Sequence, residues 1–297
     1  MRAPARVFGI LAKEANTVVL LRRGPSRHTL MLTWDLKTDK ITPGQWLKGR
    51  VHELNCDVSP DGKYLVALCS NYSEAHRKRH PDQEIPWTWT VICRPPYFTA
   101  LTLWTGPLIH ELAGGVWTSN HHLRMAASSE LAAPEKPIPG WLTVVPWIGW
   151  WVAEVPLYEQ IMANKGWQVI SKQMERPLAM TWKSQTKWCR KRGRTPIIRC
   201  DGVILRVWKR GTICRVDEGC RLRWELWDRK GRVVRTWISE NPASFWMEVD
   251  KAGRVVFAEN GCLYRWTSFP DGEPTLVADL NNYTFTEVPP PSSATRW

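Results

Sequence analysis

LMLTWDLKTDKIT, residues Leu30 to Thr42, followed by NCDVSPDGKYLVALCS, residues Asn55 to Ser70, holds the pattern on which the fold turns. The first stretch is a strand that ends at Trp34, a polar turn, and a second strand. In the second stretch, apolar residues alternate up to a turn at Asp61-Gly62, then comes a basic residue and an aliphatic run. Asp-Gly supplies the positive φ that a tight hairpin requires, and the flanking alternation gives each strand one buried face.

Both halves return later in the chain. LRWELWDRKGRVVRTW (Leu222 to Trp237) and CLYRWTSFPDGEPTLV (Cys262 to Val277) repeat the first half, and WMEVDKAGRVVFAENG (Trp246 to Gly261) repeats the second. Trp34 and Gly62 are 28 residues apart, Trp227 and Gly253 are 26 apart, so the halves recur in the same order at nearly the same separation. A repeat of this length decides the architecture before any local reading does. Four such strands make a unit that cannot cover both of its faces alone, so copies stack radially and leave few exposed edges. The pattern predicts an all-β chain forming a single β-propeller of six or seven four-stranded blades over residues 1–288. The blades are expected near 5–47, 52–104, 114–150, 150–190, 195–238 and 244–280, with the weakest repeat in the middle two. The last stretch, PPPSSATRW over 289–297, is expected to be a disordered tail.

The Trp34-Asp35-Leu36-Lys37-Thr38-Asp39 run, followed by Ser59-Pro60-Asp61-Gly62-Lys63, resembles the blades of WD-repeat and related bacterial propeller proteins. The resemblance covers about half the chain at motif level. The Gly-His dipeptide of full WD repeats is missing, with Gly49-Arg50-Val51-His52 a distorted counterpart, which marks a divergent propeller. What the resemblance implies is a scaffold that binds other macromolecules, although fold by itself does not assign function.

Composition agrees with many short strands. The 297 residues are 43% hydrophobic, enough for a large core, and 20 Trp outnumber 6 Tyr and 6 Phe, which suits pleated surfaces and their rims. Twenty-two Pro and 19 Gly divide the chain into short segments. The N-terminal apolar stretch is broken by Lys13, Glu14 and Asn16, so a secretory signal is not expected. The longest apolar run, WLTVVPWIGWWVA from Trp141 to Ala153, contains Pro146 and falls short of a membrane span, so no membrane insertion is expected. Cysteines 56, 69, 93, 189, 200, 214, 220 and 262 include no CxxC pair and several sit in strand-like runs. They read as reduced, buried apolar residues of a cytoplasmic protein, with no metal site and no cofactor.

Charge is concentrated. Of the net +13, the segment Lys183 to Arg235 carries 17 Lys/Arg against 5 Asp/Glu, which leaves about +1 for the remainder. Its densest part, KWCRKRGR, places Lys187, Trp188, Arg190, Lys191, Arg192 and Arg194 on an expected loop, a candidate surface for a polyanion or an acidic protein. Trp147, Trp150 and Trp151 are candidate docking aromatics, with filler between blades as the simpler reading, and a helix-like stretch LYEQIMANK follows them. In HRKRH, His76 and His80 have a zinc-like spacing opposed by the three cations between them. His121 and His122 read as a hairpin turn. GxSxG, P-loop, HExxH and GxGxxG signatures are absent. The leading expectation is therefore a non-enzymatic interaction module that binds a protein partner, an acidic one, through blade-end loops and a basic face. Nucleic-acid binding through residues 183–235 is the alternative, and an enzyme with a pocket at the channel mouth is the third reading.

Overall fold

A computed structural model describes residues 3–24, 28–71, 73–74, 78, 88–105, 114–127, 131–148, 157–170, 203–218, 221–239 and 245–297. Among the described residues the fold is all-β apart from one short α-helix and two 3-10 turns, and the strands form separate sheets in chain order. The first sheet comprises β1 (Arg6–Leu11), β2 (Thr17–Arg23), β3 (His28–Asp35) and β4 (Lys40–Lys48), paired antiparallel in that order. In the second, β5 (Arg50–Val51) and β6 (Asp57–Val58) share the edge of β7 (Leu65–Ser70), followed by β8 (Thr88–Cys93) and β9 (Ala100–Thr105). The third holds β10 (Gly115–Ser119), β11 (His122–Ala127) and β12 (Thr143–Ile148), the last of which pairs parallel to β11. The fourth runs from β13 (Gln168–Ile170) through β14 (Val203–Trp208), β15 (Gly211–Glu218) and β16 (Arg221–Asp228) to β17 (Val233–Ser239). The fifth is β18 (Trp246–Val249), β19 (Val255–Glu259), β20 (Cys262–Trp266) and β21 (Thr275–Asp279).

The sequence repeat maps onto this plan in register. Trp34, Trp227 and Trp266 all lie at the end of the next-to-last strand of their sheets, β3, β16 and β20. Gly62 and Gly253 lie in the turn after the first strand of the following sheet, with φ of 79° and 75°. A finer repeat sits inside it. Asp228-Arg-Lys-Gly-Arg232 and Asp250-Lys-Ala-Gly-Arg254 close with the same bonds: the Asp Oδ1 accepts the Arg backbone N–H at 2.9 Å in both, and the Arg Nε donates to Oδ2 at 2.8 and 2.7 Å.

Over 150–190 the described part departs from the expected four-stranded unit. It is helix α1 (Leu157–Asn164) and the short strand β13, which extends the sheet of 203–239. The residues explain the change, because Leu157, Tyr158, Ile161 and Met162 follow helical spacing and all four are buried. The region 114–150 departs as well, with three strands and a parallel pair.

The inner strands of the first sheet are covered on both faces. In β2 and β3, Val18, Val19, Leu20, Leu21, Leu30, Met31 and Leu32 are all buried, so successive residues on opposite faces are both inside. Each of these side chains contributes roughly 1.5–3 kcal/mol on burial. The first strand β1 packs on β18 and β19 of the last sheet and on β6 of the second. Among the described residues no strand is shared between first and last sheets, and side chains and polar bonds join them. Arg22, buried, donates to the carbonyls of Leu280 and Asn281 at 3.0 and 2.8 Å, and Asn281 Oδ1 accepts the Ala5 N–H at 2.8 Å.

Turns from four sheets meet at one end. The Glu14 N–H donates to the Pro60 carbonyl at 2.7 Å, Asn120 donates to the Glu14 carboxylate at 3.1 Å and accepts the Asp61 N–H at 2.8 Å, and the Lys251 ammonium donates to the Glu14 carbonyl. Residues 289–297 are mostly exposed, and Ala294 and Trp297 make the apolar contacts of this stretch. A single 3-10 turn at Ser292–Ala294 buries Ala294, and Trp297 lies against Tyr64 and Trp141 at ring distances of 5.6 and 5.9 Å. The apolar ring and the Arg94 bond to the Arg296 carbonyl, at 2.9 Å, supply contacts that a Pro/Ser composition does not advertise.

Candidate functional site

The basic residues of the fourth sheet are largely used within the fold. Arg206 donates to the carbonyls of Lys165 and Gly166 at 2.9 and 2.8 Å. Arg215 is buried with its guanidinium 4.3 Å from the Tyr158 ring centre and 5.7 Å from that of Trp224. Arg223 pairs with Glu225, Arg232 with Asp228, and Arg235 with Glu259. Arg210 and Arg229 donate to the carbonyls of Thr267 and Lys209. These charges thus find partners along their own strand or turn and in the neighbouring sheet. Lys187, Trp188, Arg190, Lys191, Arg192 and Arg194 lie outside the described residues, as do Trp150, Trp151, His76 and His80.

Trp147 is half-buried and packs on the cluster of Val116, Ala126, Leu157 and Ile161. The aromatic residue that reaches the surface nearby is Trp141, 38% exposed. Cys56, Cys69 and Cys93 are free and buried in the second sheet, and burial raises all three thiols, Cys93 to about 12. Such thiols are inert at neutral pH.

A charged cluster lies in the interior among the described residues. Lys165, just after α1, pairs with Asp57 of β6 at 2.8 Å, and both side chains are almost wholly buried. Glu248 of β18 accepts the Trp167 indole N–H at 2.9 Å and the Val249 N–H at 3.0 Å. Desolvation is the main cause that raises both carboxyls above their ordinary values, against Lys165 at Asp57 and the Val249 N–H at Glu248. These acids join the first strands of two sheets to the residues after α1.

An open cleft of about 550 Å³ lies where the second sheet meets the C-terminal segment, walled by Arg94, Tyr97, Ser292, Arg296 and Trp297. Arg94 follows β8, and the turn geometry carries its guanidinium across to Tyr64, whose hydroxyl accepts Nη2 at 2.9 Å. Tyr64, beside the Asp61-Gly62 turn, is buried between Trp117 at 6.1 Å, Trp141 at 5.6 Å and Trp297 at 5.6 Å. His121 stands edge-on to Trp141 at 5.7 Å, and Lys63 pairs with Asp61 at 3.0 Å. The arrangement offers two guanidinium groups, Arg94 half-buried and Arg296 exposed, beside an aromatic wall. Such a surface takes carboxylates or phosphates at the forks and flat groups against the rings. The sequence reading missed this site, since its members are spread from Tyr64 to Trp297; the Asp-Gly-Lys-Tyr turn was its one local signal.

No protein family matches the chain, and no curated protein matches it significantly. Among solved structures, an uncharacterised protein of Listeria monocytogenes is similar over 95% of this chain and 84% of its own, at 10% identity and a TM-score of 0.29. The acylaminoacyl peptidase of Pyrococcus horikoshii is similar over 92% of this chain and 45% of its own, at 12% identity and a TM-score of 0.34. The β-propeller domain of the Trilobed protease of Pyrococcus furiosus, described as having an open velcro topology, is similar over 91% of this chain and 68% of its own, at 12% identity and a TM-score of 0.27.

Proposed function

We propose that the chain is a divergent β-propeller of six or seven four-stranded blades and acts as a non-enzymatic interaction module for an acidic protein segment. What supports the propeller is the chain-ordered series of mostly antiparallel sheets, with Trp on the next-to-last strand in three of them and β1 packed on the last sheet. The observation that carries the binding reading is the Arg94/Arg296 cleft with Trp141 and Trp297 beside it. Exposed aromatic groups next to guanidinium forks are the residue types in which binding energy concentrates. The interior acids Asp57 and Glu248 are buried and bonded, which favours a structural role for them over catalysis.

The second reading, nucleic-acid binding through Lys187 to Arg194, rests on the concentration of +12 in residues 183–235. Fluorescence anisotropy with labelled poly-L-glutamate and with a labelled single-stranded oligonucleotide separates the two. The acidic-partner reading expects saturable poly-glutamate binding that falls about tenfold or more in Arg94→Gln and Trp141→Ala, and is unchanged when Arg190, Lys191, Arg192 and Arg194 are all replaced by Ser. Oligonucleotide binding that is steep in salt, abolished by the four Ser replacements and indifferent to Arg94→Gln would replace it with the second reading.

A further inference from the structure

A second cluster of cations lies on the other rim, between the first and second sheets, and is distinct from the cleft. Arg6 and Arg23 are direct cross-strand partners in the β1/β2 register, so both side chains share one face. Thr29 continues that row on β3 and its hydroxyl donates to the Gly49 carbonyl at 3.4 Å, which brings the face against the start of the second sheet. Arg50, His52 and Glu53 follow there, and the charges of Arg6 and Arg50 both act on Arg23. By contrast Arg22, on the opposite face of the same strand, is fully engaged with the carbonyls of residues 280 and 281.

Like charges placed directly opposite in a sheet are destabilising unless something lies between them. Among the described residues, none forms an ion pair with Arg6, Arg23 or Arg50, and Arg23 Nε is buried with no hydrogen-bond acceptor. Glu53 is the carboxylate close to all three, yet it is buried and lies beyond ion-pair distance of each. His52 donates or accepts at the Ser70 hydroxyl, 3.0 Å away, and contributes no countercharge. Among the described residues three guanidinium groups thus share one carboxylate, an excess of two positive charges. A guanidinium fork matches the paired oxygens of a phosphate, and a cross-strand pair of them with a third close by suits a compact oxyanion carrying two or more charges.

We infer that Arg6, Arg23 and Arg50 form a binding site for a small phosphate-class anion on the rim between the first and second sheets. The anion bridges the cross-strand pair and supplies the acceptor for Arg23 Nε. Glu53 bounds the site from below and opposes the anion, so the affinity is set by three attractions and one repulsion.

Isothermal titration of the full chain with sodium pyrophosphate, at ionic strength held constant with chloride, tests this. One saturable site is expected, with affinity at least tenfold weaker in Arg23→Gln and in Arg50→Gln, severalfold tighter in Glu53→Gln, and unchanged in Lys230→Gln. Co-sedimentation with vesicles containing phosphatidic acid distinguishes the source of the phosphate: vesicle binding lost in Arg23→Gln, with free pyrophosphate inert, places the phosphate on a lipid headgroup. Melting gives an independent reading, since Arg50 is exposed and Arg50→Gln leaves the core untouched. Pyrophosphate should raise the melting temperature of the wild type and not of Arg50→Gln, and Arg23→Gln without ligand should melt no lower than wild type, because it removes repulsion. No saturable binding to either probe, binding by both arginine variants as tight as that of the wild type, or a clear drop in melting temperature for ligand-free Arg23→Gln would overturn the site and leave these arginines a structural or solvated group.

Discussion

Gly9 and Trp246 are complementary halves of one contact: a Cβ on Gly9 would sit 2.6 Å from the indole ring atoms of Trp246. The absent side chain on β1 is the space that the first residue of β18 fills, and through it the first sheet meets the last. Gly9→Ala should therefore destabilise the chain by about 1–3 kcal/mol through overpacking. Urea denaturation checks it, and restoration of part of the loss by Trp246→Leu in the same chain would show that the ring is what the methyl meets.

Lys165 and Asp57 form an ion pair with both side chains shielded from water. Lys165→Met leaves a buried carboxylate alone and should cost about 3–5 kcal/mol. Lys165→Met combined with Asp57→Asn should cost clearly less than the single change, because no charge is then left unpaired. A double-mutant cycle by chemical denaturation measures the difference.

His52 is depressed to about 4, by burial first and then by Arg50 and Arg23. Its folded value lies below its unfolded value of about 6.5, so the unfolded chain takes up the proton first and stability is lost as pH falls from about 6.5 to about 4. The full contribution is about 3 kcal/mol. Glu53, Asp57 and Glu248, all raised, act in the opposite sense and recover stability as they protonate. The difference in unfolding free energy between wild type and His52→Gln, followed from pH 7 to 4, isolates the histidine; it should narrow steadily in favour of the variant, and a pH-independent difference would refute the assignment.

Arg232 and Arg254 make the same turn bonds in different surroundings. The Arg232 side chain is 72% exposed, while Arg254 is 19% exposed and also donates to the Leu36 carbonyl of the first sheet. Arg232→Gln should cost about 0–1 kcal/mol and Arg254→Gln about 1–3 kcal/mol. Thermal denaturation of the two variants side by side gives the ordering, and equal losses would show that the bond to Leu36 contributes nothing.

Strands and turns were legible in the sequence because they depend on near neighbours. Alternating apolar residues, the Gly62 and Gly253 turns and the recurring Trp34, Trp227 and Trp266 are local signals, and they locate the outer four-stranded sheets to within a few residues. The paired Asp-x-x-Gly-Arg turns were equally present in the letters and were read only as generic turns. The middle of the chain was less legible, since three strands with a parallel pair and a helix carry no repeat to compare with.

The charge map shows where local reading stops. Sequence determined that the basic excess lies in residues 183–235, because charge is additive along a chain. Only tertiary structure decided that the described arginines of that segment are bonded to Asp228, Glu225, Glu259 and backbone carbonyls, while Arg94 meets Arg296 across 202 residues and Arg6 meets Arg23 and Arg50 on a rim where, among the described residues, no acid is within ion-pair distance. A charge becomes a site through the partners it lacks, and those are set by which strands are laid side by side.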